Sequence, residues 1–373
     1  MTKLDELLAG MRVDRRSLLG GVAATMAIGA FAGPRGAHAA TTLNWMGWQG
    51  YDSPLKQGTF LADNGIDLAT TYIAGNEEII TKLQAGGSVD LATIYFGHVP
   101  IMVGADLIEP IDESRVPDLA RIFPRFLDVD SIRHDGKLYA VPFTWGTLPM
   151  VYDPAAIPEA PTSWKDCLKD EYKGKVALTD DISGLISTWS QIVTGTKTPT
   201  RLTMAELKET VDFLIKIKKE HARTFSPNYG EATDLFARGE VVISAIGWDA
   251  QVGFADKKGK KLAYVLPSEG AMAYMDTIVI PKSAANRDLA YKALAQAITP
   301  KAQAVLAAEL TQAVVNSDAV ALVDDGNRAI YQYGNLDKLL ERAKFNPFWP
   351  LESDGTHATH DQVQDEYQRF LQA

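Results

Sequence analysis

Acidic and aromatic side chains recur together where apolar runs of this chain end. Trp45 and Trp48 follow one such run and Tyr95-Phe96 close another, while Asp181, Trp248-Asp249 and Tyr274-Met275-Asp276 punctuate the second half. Carboxylates can replace the water around a buried positive charge, and an aromatic face attracts a nearby cation by about 0.5–2 kcal/mol while packing on its hydrocarbon. Together these residue types suit the holding of an organic cation. Each also has a plain structural alternative. Asp181 and Asp276 could cap a helix or sit at a hinge, and Trp45, Trp48 and Tyr274 could fill a core.

Residues suited to covalent chemistry are not arranged for it. The sequence contains no G-x-S-x-G elbow, no H-E-x-x-H and no G-x4-G-K loop. Asp181 and Asp276 could be read as the carboxylate pair of a secreted glycosidase, although nothing supplies a sugar-binding context. His357-Ala358-Thr359-His360 has a spacing that one helical face could offer to a metal, but a solvated C-terminal loop is the expectation. His98 falls close to the aromatic group and is expected to orient a loop. No cofactor, no metal and no enzymatic role are expected.

Alternating elements must position these side chains. Strands are expected over residues 42–48, 66–72, 89–95, 175–178, 241–246, 262–265 and 276–280. Asn76 should cap a helix over 76–83 with Glu77 and Glu78 in its first turn, where the helix dipole favours anions. Pro100 fits the first turn of a short helix, because its missing N–H costs nothing there. The clearest helix covers 203–222, where Thr203 and Glu206 have the spacing of a capping box and Leu207, Val211, Leu214, Ile215 and Ile217 make an apolar stripe. Further helices are expected over 287–298 and 300–310. Strand and helix in alternation imply an α/β fold with mainly parallel sheet, covered on both faces.

The first 39 residues carry an address. Asp14-Arg15-Arg16-Ser17-Leu18-Leu19 opens a small-residue apolar run to Phe31, and Ala37-His38-Ala39 ends it as an A-x-A cleavage site. The paired arginines resemble the twin-arginine export class, with Leu18 in place of its usual phenylalanine. The run is shorter than the roughly 18–20 apolar residues of a membrane anchor. A periplasmic protein starting near Ala40 is expected, with about 334 residues, enough for two lobes. The whole chain carries −10 and the tag itself is net +2, leaving about −12, an acidic balance that disfavours nucleic acid and anionic lipid. Cys167 is the single cysteine, so no internal disulfide can form, and a buried structural thiol is expected.

Several stretches in order carry a family resemblance. Asn44-Trp45 closes the first strand, and Gly136-Lys137-Leu138-Tyr139-Ala140-Val141-Pro142 precedes Trp145-Gly146. Thr162-Ser163-Trp164 begins a helix, Glu171-Tyr172-Lys173-Gly174-Lys175-Val176 leads to Thr179-Asp180-Asp181, and Tyr274-Met275-Asp276 leads to Ile280-Pro281. This set resembles the periplasmic solute-binding proteins of ABC importers, specifically the spermidine/putrescine-binding group. The resemblance covers nearly all of the chain after the tag.

It implies the two-lobe, type II periplasmic binding protein fold, with crossing strands as hinge and ligand in the cleft. Lobe one would be 41–149 plus 277–320, and lobe two 150–276 plus 321–373. It further implies a small cationic ligand, an inner-membrane ABC permease as partner, and a monomer. Trp45, Trp48, Tyr274, Asp181 and Asp276 fall on ligand-contact positions of the family, and Gln312 on a polar or aromatic one. Three departures stand out: Gly184 replaces a glutamate, Trp248 aligns only after a one-residue shift, and Tyr95-Phe96-Gly97 replaces a Ser-x-Tyr pattern. Asp249 is therefore a candidate for the source of the missing charge. A rebuilt pocket leaves open a receptor for another organic amine or small metabolite, and leaves open signalling to a membrane receptor in place of transport.

Overall fold

The computed structural model describes residues 40–373. The expected export tag lies outside the described residues. Fourteen strands occur in the order β1 (Thr41–Gly47), β2 (Ile66–Tyr72), β3 (Leu91–Tyr95), β4 (Arg133–His134), β5 (Lys137–Leu138), β6 (Val141–Leu148) and β7 (Met150–Tyr152), then β8 (Val176–Thr179), β9 (Ala222–Ser226), β10 (Ile243–Ser244), β11 (Ala263–Val265), β12 (Ala271–Val279), β13 (Ala313–Val314) and β14 (Ala343–Phe345). A seven-stranded sheet has the order β13-β6-β12-β3-β1-β2, with β14 against β12. A five-stranded sheet has the order β11-β7-β10-β8-β9, and β4-β5 is a separate hairpin.

The parallel expectation holds where helices connect consecutive strands. β1 runs parallel to β2 and β3, and β8 parallel to β9 and β10. It fails for β6 and β12, which lie antiparallel to each other, and for β7 and β11. The reason is the passage of the chain between sheets. β6 leaves the first sheet and β12 returns to it side by side, so they must run in opposite directions. Pro149 stands alone between β6 and β7; without an N–H it cannot continue a ladder, and the chain changes sheets there.

Local signals were accurate at two of three helix starts. Thr203 and Glu206 form the expected capping box on Met204–Glu220, although that helix stops before Ala222, which begins β9. Pro100 lies in the first turn of Val99–Gly104. Asn76 does not cap with its side chain; its Oδ1 accepts from the backbone N–H of Tyr95 at 3.0 Å and pins the loop to the end of β3. Cys167 is buried in the short turn Trp164–Leu168, and burial pushes its thiol pKa far up. The C-terminus is not a loop. Thr359 caps a helix at His360–Gln372 that packs on Met204–Glu220, so His357 lies outside the helix and the two imidazoles do not share its face. Among the described residues, no helix is long and apolar enough to cross a membrane.

Candidate functional site

A cavity of about 600 Å³ opens between the two sheets, with walls from both. From the first come Trp48 beyond β1, Tyr95 at the end of β3, and Tyr274 and Asp276 on β12. From the second come Asp181 beyond β8, Tyr229 beyond β9 and Trp248 beyond β10. Strand ends are where an open α/β sheet leaves room for a ligand, and here two such edges face each other.

Asp276 is a buried carboxylate with one oxygen turned to this cavity. It pairs across β12–β3 with Tyr95, is 7% accessible, and its Oδ2 accepts from the Tyr51 hydroxyl at 2.7 Å. Its Oδ1 has no protein hydrogen bond among the described residues and is left for a guest in the cavity. Burial pushes its carboxyl pKa up to about 6, against the lowering effect of Tyr51. Asp181 is differently occupied. Its Oδ1 caps the helix Ile182–Val193 through the Gly184 N–H at 2.8 Å, and its Oδ2 accepts from Tyr229 at 2.6 Å. It lines the cavity and is a capping carboxylate at once. Burial raises its pKa too. A Cβ at residue 184 would come within 2.9 Å of the Asp181 carboxylate and of Leu148, so the glycine is what allows this folded-back cap.

Tyr274 crosses the strand pair to face Gly146, whose missing side chain is filled by the phenol ring. That close approach places the Tyr274 hydroxyl to accept from the Trp248 indole at 2.6 Å and to donate to Gln312 Oε1 at 3.2 Å. The chain of three joins a loop of the second sheet to strands of the first. The Trp248 ring also lies against Tyr229 and Phe254.

Of the ten expected contacts, the structure brings Trp48, Tyr95, Asp181, Trp248, Tyr274, Asp276 and Gln312 to the cavity. It places three elsewhere. Trp45 is 1% accessible within β1 and belongs to the core, and Phe96 packs behind Tyr95 against Phe345. Asp249 does not supply the missing charge. Its Oδ2 accepts from the N–H and hydroxyl of Thr147 on β6, at 2.5 and 2.9 Å, and so ties the second lobe to a crossing strand. Sealed there with Oδ1 unpartnered, its carboxyl is pushed up to about 7 by burial.

Sequence reasoning missed Tyr51 and Tyr229, which hold the two carboxylates, and Glu77, which also lines the cavity. The only sequence signal for Tyr51 was its place three residues beyond Trp48; Tyr229 had none. Glu77, Asp180, Asp181 and Asp276 make four carboxylates on the wall, and among the described lining residues there is no Lys or Arg.

That wall can be set beside known proteins. The family described as bacterial extracellular solute-binding protein matches residues 58–329. The chain belongs to it. The spermidine/putrescine-binding periplasmic protein of Escherichia coli K12 is 28% identical over 275 residues, covering 72% of this chain and 76% of that protein. The putrescine-binding periplasmic protein PotF of the same strain is 27% identical over 300 residues, covering 76% and 80%. In structure, the spermidine/putrescine substrate-binding protein PotD of Streptococcus pneumoniae superposes with a TM-score of 0.72 at 23% identity, over 89% of this chain and 98% of that one. The fold is thus the two-lobe α/β fold of these binding proteins, and the family is one of extracellular solute binding.

Proposed function

We propose that this solute-binding protein captures a small organic cation of the polyamine class, putrescine or spermidine, in the periplasm and presents it to an inner-membrane ABC permease. The observation that carries the reading is the charge of the cavity wall: four carboxylates among aromatic rings, with no lining Lys or Arg to balance them. A carboxylate-bearing or phosphorylated solute would meet repulsion on this wall, whereas an ammonium finds the open oxygen of Asp276. The names of the E. coli relatives support the same class. Calorimetric titration of the protein with putrescine and spermidine, against a neutral sugar and a dicarboxylate, tests it. Heat from either amine alone is expected; a response only to the sugar or the anion rejects the class.

The mechanism requires no chemistry on the guest. A ligand that touches Asp276 and Tyr274 from one lobe and Trp248 from the other stabilises whichever arrangement holds all three, and a membrane partner can read that arrangement. We take the lobes to follow the two sheets, with crossings near 149 and near 271, the second earlier than the expected 276/277 because β12 begins at Ala271, and the protein to act as a monomer. Export by the twin-arginine route has its own check. Arg15→Lys together with Arg16→Lys should leave the precursor in the cytoplasm, and unimpaired periplasmic accumulation would refute that route.

A further inference from the structure

One end of the cavity sets Glu77 among side chains whose arrangement the reading above does not use. Glu77, at the start of the helix Glu77–Gln84, has Oε1 3.2 Å from Nε2 of His98. This hydrogen bond holds the Glu77 carboxyl low, at about 2, so it is an anion and Nε2 must be the donor. The His98 ring is 5% accessible, and its Nδ1 is buried without a partner. Its ring lies on Phe348, centroids 4.5 Å apart, and the other contact of Phe348 is the ring of His360 at 4.9 Å. Glu77, His98, Phe348 and His360 all face the cavity.

These residues come from both halves of the molecule. Glu77 and His98 flank β3 of the first sheet, whereas His360 opens the helix that packs on Met204–Glu220. The Phe348 carbonyl is held by Arg201, just before that same helix, at 2.6 Å. The group also has a known relation to Asp276. Asn76, beside Glu77, bonds the N–H of Tyr95, and Tyr95 is the cross-strand partner of Asp276. One strand spacing plus one side-chain reach separates the two backbones, roughly 10 Å.

We propose that Glu77, oriented by His98 at the cavity end that also carries the Phe348–His360 stack, is a second recognition subsite that takes the far nitrogen of an elongated dication whose near ammonium sits on Asp276. The proposal rests on the amine reading of the cavity and deepens it. His98 occupies one Glu77 oxygen and fixes its direction; the other has no hydrogen bond to a described side chain and is available to an N–H of the guest. The subsite selects for a second positive charge at a set distance, which a monoamine lacks.

The test is a titration series of straight-chain α,ω-diamines from putrescine upward, each beside the monoamine of equal length, on wild type, Glu77→Gln and His360→Gln. Glu77 is exposed enough that its amide variant should fold normally. Glu77→Gln is expected to weaken the best diamine about five- to tenfold and leave its monoamine within about twofold. His360→Gln should produce a smaller loss of the same selectivity. Equal effects of Glu77→Gln on diamine and monoamine, or none on either, would overturn the subsite while leaving the amine receptor intact. A wild type that binds no amine of either series would overturn both.

Discussion

Asp276→Asn will bind putrescine or spermidine about a hundredfold more weakly than wild type, and the empty variant will melt several degrees higher at about pH 8. The affinity follows from the open Oδ1: it is the carboxylate oxygen left free for an ammonium, and an amide there removes the charge that replaces the cation's water. The stability follows from burial. The carboxyl titrates at about 6 in the folded protein against 3.8 as its ordinary value, so the folded state binds the proton more tightly. Below about 4 both states are protonated and the penalty vanishes; above about 6 it is fully present, on the order of 3 kcal/mol. Asparagine keeps the bond from Tyr51 and removes that penalty. Asp181→Asn should differ. Both its oxygens are occupied, asparagine caps a helix as well as aspartate, and a loss of about tenfold or less is expected. Calorimetry and thermal melts on the two variants decide; equal affinity losses would mean the guest does not depend on the free oxygen of Asp276.

Affinity for the amine will also fall on acidification, and the sign is set by the same group. An aliphatic amine stays charged throughout the range, so the titrating partner is the protein. A bound ammonium lowers the Asp276 pKa, so binding below about 6 must expel a proton. Affinity should be level above about pH 7 and fall by up to tenfold per unit below about pH 6. Asp181, also raised by burial, adds to the fall. Glu77 stays ionised, and His360, whose pKa burial lowers, would add positive charge only in acid. Proton release, measured by repeating the titration near pH 6 in buffers of different ionisation enthalpy, checks the mechanism directly. A flat profile between about pH 5 and pH 8 would show that the guest is not paired with a raised carboxylate.

These effects compete, since the group that makes the cavity attractive to a cation also weakens the empty protein. Asp249 adds a third raised carboxyl, pushed up to about 7 by burial against the lowering effect of its bonds from Thr147, and away from the guest. Its bonds to Thr147 on the crossing strand β6 give it a structural role distinct from that of Asp276.

Much of this was present in residue order. The capping box at Thr203 and Glu206, the turn proline at 100 and the strands around Trp48, Tyr95 and Asp276 depend on neighbours a few residues away. Short-range sterics and backbone hydrogen bonds settle such features, so composition and spacing suffice to read them. The family resemblance was likewise legible, because its motifs are short runs in a conserved order along this chain.

Other decisions were made only when distant segments met. Trp45 and Trp48 are the same residue type three positions apart, yet the strand carries one into the core and the loop turns the other to the cavity. Trp248 and Asp249 are adjacent, yet one reaches Tyr274 and the other Thr147. Tyr51 finds Asp276 across 225 residues of chain, and His360 meets Phe348, which also carries the His98 ring, only because the C-terminal helix packs back on Met204–Glu220. Local sequence carried the kinds of groups and the elements that bear them. Which groups share a cavity, which oxygens stay free and which carboxyls are desolvated belong to tertiary packing, since solvent exclusion and long-range contact exist only once both sheets have closed around the same space.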